Sequence, residues 1–183
     1  SLNEGAGVVA GQEAIHNLKS LFPQWTEIEW QQLTGDSPFD GIRTLYQEPD
    51  KLGSDRWAAV IAARVLSKSN ALIINAGTAT TIDLLGSNGV HYGGWILPGF
   101  EMMQKSLETN TAQLPLASRN ETHNGFGLST NNAIIGGCDA AQIGAIQYAL
   151  NVAKGMGQTV ETIWLDGGNA KILTKALSQV DKL

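Results

Sequence analysis

The residues with the clearest chemical potential lie in Leu72–Asp83, which reads LIINAGTATTID. An apolar run stops at Gly77, turns through Thr78 and resumes as a β-branched strand ending in Asp83. A glycine turn between strands, flanked by hydroxyls, lets backbone N–H groups approach a phosphate. Taken alone, the same residues fit a tight β-hairpin better, because threonine suits strands for its own reasons. Gly53-Ser54-Asp55-Arg56 stands where a loop meets a helix. Asp55 in the first turn could take a proton from a substrate hydroxyl, and Arg56 could grip an anion. A capped helix with a dipole-complementing aspartate and a solvated arginine accounts for those four residues, taken alone, more simply.

Asp166-Gly167-Gly168-Asn169 follows a strand and opens a helix, which offers free N–H groups to a phosphate or nucleotide, or is a plain turn. Gly93-Gly94 and Pro98-Gly99 bracket a strand and read as bends. Ser129-Thr130 reads most simply as a helix N-cap, with ligand contact as the alternative. His16, His91, His123 and Cys138 have no metal-ligand spacing. There is no nucleophile elbow and no Walker A loop.

These groups need elements to hold them. Gln12–Leu21 is expected to be helical, Thr26–Trp30 a short strand, and 31–52 irregular, with Tyr46 and Arg43 pointing to function. Ser54–Leu66 spaces Trp57, Val60, Ile61, Val65 and Leu66 as a helix, with Ser54 as a plausible cap. Strands follow at Ala71–Asn75, Thr80–Leu85 and Val90–Leu97, the last two joined by the hairpin signal Ser87-Asn88-Gly89. Phe100–Leu107 reads as a helix and 108–127 as irregular. A long helix runs from Ser129 or Thr130 to about Lys154, along Ile134, Ile143, Ile146, Leu150 and Ala153. Thr159–Leu165 closes as a strand and Ala170–Leu177 as a helix.

Bulk composition narrows the partners. The 183 residues are 43% hydrophobic and carry a net charge of −5, with no Lys/Arg cluster. Nucleic acid and anionic membranes are therefore poor partners, and no apolar run is long enough to span a bilayer. Cys138 has no partner for an internal disulfide and fits a buried, inert thiol in a reducing cytoplasm. The 21 glycines cluster at 5 and 7, 86 and 89, 93 and 94, 136 and 137, and 167 and 168. The first residue is not Met and the α/β pattern stops without a final strand, so both ends are expected to be incomplete.

In chain order, Tyr46, Gly-x-Asp-Arg at 53–56 and Ala-Gly-Thr-Ala-x-Thr-x-Asp at 76–83 resemble the type III pantothenate kinases. So do Gly-Gly-x-Ile-x-Pro-Gly at 93–99, Leu-Pro at 114–115, Ser-Thr-x-x-Ala-Ile at 129–134 and the Gly-Gly before the last helix. The resemblance covers nearly the whole chain. It implies an α/β, actin-like (ribonuclease-H-like) kinase fold of two lobes. Residues 1–68 would be the remainder of an incomplete first lobe holding the pantothenate-binding loop. Residues 69–183 would be the second lobe, with its nucleotide-facing turns. The implied reaction moves the ATP γ-phosphoryl group to the 4′-hydroxyl of pantothenate, the first step toward coenzyme A.

By the same resemblance, Asp55 is the general base, and Tyr46, Gly53, Ser54, Asp55, Arg56 and Thr130 bind pantothenate. Gly77, Thr78, Gly167 and Gly168 face ATP. Mg²⁺, a monovalent cation (K⁺ or NH₄⁺) and a homodimer are also implied, as is a possible biotin protein ligase fused ahead of the chain. Two departures stand out. Asn75 occupies the position where the family usually has an aspartate, which weakens the monovalent-cation site. The family's opening Asp-x-Gly-Asn-Thr phosphate loop has no counterpart in these residues, so the 183 residues by themselves are expected to be a poor kinase. A non-catalytic regulator of the Bvg accessory factor kind, binding nucleotide and pantothenate, is the alternative function.

Overall fold

The computed structural model describes residues 16–17, 20–23, 33–37, 39, 41–119 and 125–180. The expected strand at Thr26–Trp30 lies outside them. Of the helix expected at Gln12–Leu21, residues 16–17 and 20–21 are described, and they are helical. The elements are β1 (Arg43–Thr44), α1 (Ser54–Leu66), β2 (Ala71–Ala76), β3 (Ala79–Leu85), β4 (Val90–Pro98), α2 (Phe100–Asn110), α3 (Thr130–Gly155), β5 (Thr162–Asp166) and α4 (Ala170–Val180).

One mixed sheet runs in the order β1-β4-β3-β2-β5. The expected meander is present: β2 pairs antiparallel with β3, and β3 antiparallel with β4. β5 lies parallel to β2, which requires the crossover that α2 and α3 supply. β1, unforeseen in the irregular stretch, pairs parallel with the start of β4. It thereby ties residues on both sides of the expected boundary at 68 into one sheet.

Strand alternation sorts side chains onto two faces. Leu72, Ile74, Ile82 and Leu84 join Phe100, Ile134, Ile135, Cys138, Ile146 and Leu173 in the larger core. Ile73 and Leu85 turn the other way, onto Leu52, Trp57, Val60 and Ala63. The sheet is therefore sandwiched, with α1 on one side and α2, α3 and α4 on the other.

Two helices differ in detail from their expected faces. α1 buries Arg56, Trp57, Val60 and Ala63, while Val65 and Leu66 in its last turn are exposed. Its cap is Gly53, without a side-chain bond; the Ser54 hydroxyl instead donates to the Leu33 carbonyl at 2.5 Å. The buried stripe of α3 runs Ile135, Cys138, Gln142, Ile146, Ala149 and Ala153, in steps of three and four. Gln142 in that stripe donates from Nε2 to the Pro98 carbonyl at 2.8 Å, while its Oε1 is buried with no hydrogen-bond partner among the described residues. Ser129 is the cap, its Oγ accepting from the Asn132 N–H at 3.2 Å.

Ile146, almost fully enclosed, joins α3 to the sheet. Truncation in Ile146→Ala is expected to cost ~2–5 kcal/mol in urea unfolding, through lost transfer energy and a cavity. Val65→Ala, on the exposed side of α1, is expected to change stability by less than about 0.5 kcal/mol.

Candidate functional site

Two groups of candidate residues lie on or against this sheet. The first is at the carboxyl ends of the parallel strands β2 and β5, where open α/β sheets commonly bind ligands. Three turns meet there. The Gly99 N–H donates to the Thr78 carbonyl at 2.8 Å, and the Asn169 N–H donates to the Ala76 carbonyl at 2.9 Å. The Asn169 side-chain amide reaches the Gly77 carbonyl at 3.4 Å. The structure thus brings together Gly77 and Thr78 with Gly167 and Gly168, as the sequence leads one to expect of a shared ligand edge. Thr78 and Gly168 are exposed on it. Gly167 adopts φ 101°, and a Cβ there would sit 2.5 Å from the Ala76 carbonyl oxygen and 2.6 Å from Asn75 Oδ1. Glycine is therefore required for the close approach, and the Asn75 amide oxygen faces that turn.

The second group is buried on the α1 side of the sheet. Arg56 donates from Nε to Asp83 Oδ2 at 3.0 Å and from Nη2 to Asp83 Oδ1 at 2.6 Å. His91 Nε2 lies 2.9 Å from Asp83 Oδ1, and Thr44 Oγ1 lies 2.8 Å from His91 Nδ1. Arg56 Nη1 donates to the Tyr46 hydroxyl at 3.3 Å, and the guanidinium carbon lies 5.6 Å from the Tyr46 ring centre. Relative exposure is 5% for Arg56, 1% for Asp83 and 0% for His91, so these are charges and dipoles removed from water.

A bulge makes this cluster possible. Asp83 pairs with Gly94, but Leu85 pairs with His91, so Tyr92 and Gly93 together oppose Leu84. Strict alternation from Gly94 would place His91 on the opposite face; the extra residue returns it to the face of Asp83. Gly94 then has to be glycine for room. A Cβ there would overlap Asp83 Oδ1 and lie 2.8 Å from Arg56 Nη2.

Burial by itself would raise the Asp83 value. The hydrogen bonds from His91 and Arg56, together with the Arg56 charge, outweigh it and hold the carboxyl below the ordinary carboxylate range. Burial likewise opposes the Arg56 charge, but its bonds to Asp83 and Tyr46 raise its value overall. Of the guanidinium N–H groups, those on Nε, Nη1 and Nη2 that point to Asp83 and Tyr46 are already used. Among the described residues, one N–H on each terminal nitrogen makes no further hydrogen bond. The anion-gripping role expected of Arg56 is thus limited to what those two donors can reach.

Gly53, Ser54 and Asp55 sit at the start of α1, Asp55 exposed in the first turn as expected. Its carboxylate folds back over Gly53, where a Cβ would lie 2.7 Å from Asp55 Oδ1. Tyr46 and Arg56 touch directly. Thr130 is elsewhere: it lines a 670 Å³ apolar cavity between α2 and α3, with Pro98, Met103, Leu107, Leu114 and Cys138. Among the described residues no hydrogen bond joins it to the Gly53–Arg56 segment. Asp83, His91, Thr44 and Gly94 carry much of the site and have no assigned role in the sequence reading. Asp83 had a signal as an acid at a core-facing position of an apolar strand, and Gly94 one as part of the Gly-Gly pair at 93–94.

Among the described residues no three His, Cys, Asp or Glu side chains cluster to hold a metal ion. No described helix is long and apolar enough to cross a membrane.

Folding lowers the Asp83 value, so the folded carboxylate binds protons more weakly than the unfolded one. Its stabilisation is fully present above about pH 4 and is lost as pH falls below that, through the depressed folded value. Asp83→Asn is expected to cost on the order of 3 kcal/mol at pH 7, because the Arg56 charge stays buried without its counter-ion. Urea titrations across pH 3–7 should show the difference from the unsubstituted protein shrinking in acid.

The family model described as type III pantothenate kinase matches residues 5–151. The type III pantothenate kinase of Colwellia psychrerythraea is 34% identical over 179 residues, covering 96% of this chain and 72% of that protein. That of Herminiimonas arsenicoxydans is 41% identical over 174 residues, covering 93% and 67%. The Aromatoleum aromaticum protein is 41% identical over 143 residues, covering 78% and 55%. The chain thus spans between about half and three quarters of these relatives' lengths. A solved structure of a conserved Campylobacter jejuni protein, assigned to the Baf family of transcriptional activators, superposes with a TM-score of 0.55. It is 22% identical and covers 77% of this chain and 66% of that one, a likeness of fold alone.

Proposed function

Because the chain belongs to the type III pantothenate kinase family, we propose that the intact protein moves the γ-phosphoryl group of ATP to the 4′-hydroxyl of pantothenate, the first step toward coenzyme A. One observation carries this reading. The family match over residues 5–151 takes in Tyr46, Gly53–Arg56, the turn at 75–83 and Thr130. In this assignment the exposed Asp55 carboxylate takes the proton of the 4′-hydroxyl as that oxygen attacks the γ-phosphorus and ADP leaves. Tyr46, with the two free donors of Arg56, orients pantothenate. Gly77 and Thr78, with Gly167 and Gly168 across the same edge, receive the nucleotide phosphates, and Thr130 contributes a further pantothenate contact.

The same reading assigns an actin-like, two-lobed fold in which residues 69–183 belong to the second lobe, with β2–β4 and α2 as its start. It also assigns a homodimer and a cytoplasmic enzyme. A monovalent cation would use the Asn75 amide oxygen beside the Gly167 turn, supplying fixed positive charge near the phosphates. Among the described residues no three His, Cys, Asp or Glu side chains gather; Mg²⁺ in kinases is commonly held by one or two carboxylates and the substrate phosphates, and no step is derived through that ion. A second reading, a regulator that binds both small molecules without turnover, draws on Asn75, which weakens the cation position.

Pantothenate-dependent ADP formation by the intact protein tests the assignment. Asp55→Asn is expected to reduce the rate by at least about 10²-fold with the fold intact by circular dichroism. An undiminished rate would remove Asp55 as the base. Binding of pantothenate and ATP without turnover in the unsubstituted protein would favour the regulator, and absence of binding would overturn both readings.

A further inference from the structure

Arg56 and Tyr46 do not hold themselves in place. The Tyr46 N–H donates to Thr44 Oγ1 at 3.0 Å, so that hydroxyl serves both Tyr46 and His91 Nδ1. With one lone pair taken by the Tyr46 N–H, the hydroxyl hydrogen is free for Nδ1. His91 then donates from Nε2 to Asp83, and Asp83 in turn accepts from two nitrogens of Arg56. The chain of contacts closes on itself, since Arg56 Nη1 returns to the Tyr46 hydroxyl. The backbone reinforces it: the Arg43 N–H donates to the Gly89 carbonyl at 3.1 Å, and the Leu45 N–H to the His91 carbonyl at 2.9 Å.

We propose that Thr44 and His91 are positioning residues for the substrate-binding pair Tyr46 and Arg56, acting through the buried Asp83 carboxylate. The inference rests on the kinase reading for the identity of the substrate, but its geometry stands apart from that reading. A merely structural core histidine would need one partner for each ring nitrogen. His91 has both, and each partner leads directly to one of the two candidate ligand-contacting side chains. Without His91, one Asp83 oxygen loses a fixed donor and the carboxylate can rotate, carrying the guanidinium fork with it. Without the Thr44 hydroxyl, the Tyr46 segment loses its tie to β4 beyond the backbone pairs. The effect should fall on the binding of substrate more than on the chemical step, because neither residue approaches Asp55 in any contact described above.

The test compares His91→Leu, His91→Gln and Thr44→Val in the intact protein, following two readouts. The first is hydrogen exchange of the Arg56 Nε–H by nitrogen-15 NMR, assigned with Arg56→Lys, which needs no substrate. His91→Leu is expected to speed that exchange by about tenfold, the equivalent of one charge-assisted hydrogen bond. His91→Gln, whose amide can donate from near the Nε2 position, should restore most of the protection. The second readout is steady-state kinetics, where His91→Leu and Thr44→Val should raise KM for pantothenate by about tenfold with kcat changed far less. If His91→Leu does not fold, Thr44→Val still decides the matter through KM for pantothenate, since valine is near-isosteric with threonine. Unchanged Arg56 exchange, or altered exchange with KM for pantothenate unmoved, would overturn the proposal. Failure of the unsubstituted protein to bind or phosphorylate pantothenate would overturn the kinase reading instead, and Nε–H exchange would then decide the positioning link alone.

Discussion

The carboxylate of Asp83 is the charge on which this part of the molecule depends. It lies on β3, in the middle of a five-stranded sheet, with almost no access to water. A lone carboxylate there would be too costly to keep ionised. Arg56 from α1 and His91 from β4 make it tolerable, and in doing so they set the distance and orientation of α1 against the sheet. α1 therefore docks through a specific polar contact as well as through Trp57, Val60 and Ala63. An apolar face by itself would permit several rotations of the helix; a bidentate ion pair permits far fewer.

That constraint reaches the candidate site because of where Arg56 sits. Its neighbour Asp55 faces solvent at the start of the same helix, while the guanidinium points inward. Fixing the buried residue fixes the first turn, and with it the exposed acid assigned as the base. The bulge opposite Leu84 is the second condition, since it turns His91 to the side of Asp83, and Gly94 supplies the room. A local irregularity in one strand is thus what lets three elements share one carboxylate.

The opposite edge of the sheet is organised by backbone rather than charge. The turns at 77–78, 98–99 and 167–169 are held by main-chain hydrogen bonds and by the Asn169 amide on the Gly77 carbonyl, and Gly99 and Gly167 have no room for a Cβ. Thr78 and Gly168 stand exposed on that edge. The molecule therefore divides its work between a charged, buried cluster on one face and a glycine-built edge at the strand ends. The apolar cavity that Thr130 lines lies apart from both, between α2 and α3.

Much of this was legible in the residues themselves. The meander, α2, α3 and α4 followed from periodicity and turn chemistry, because these elements carry their signals locally. Asp55 fell in the first turn of α1 as its position after Gly53 requires, and the glycine turns met as a set. The boundaries of β5, the exposed last turn of α1 and the place of Gln142 in the α3 stripe were less legible, since each depends on what the neighbouring element presents. Strand β1 was not foreseen at all, because a two-residue strand has no period to detect.

What the sequence by itself determined was the order of the elements, the family and the residue types available for chemistry. What tertiary structure alone decided was the company those residues keep. Asp83, Arg56, His91 and Thr44 are separated by 8 to 47 positions in their pairwise bonds, and alternation counted along β4 puts His91 on the wrong face. Only the paired strands, with two residues set against one at the bulge, correct that count. The physical reason is general: local preference sets each strand's own period, but register is a property of the pair.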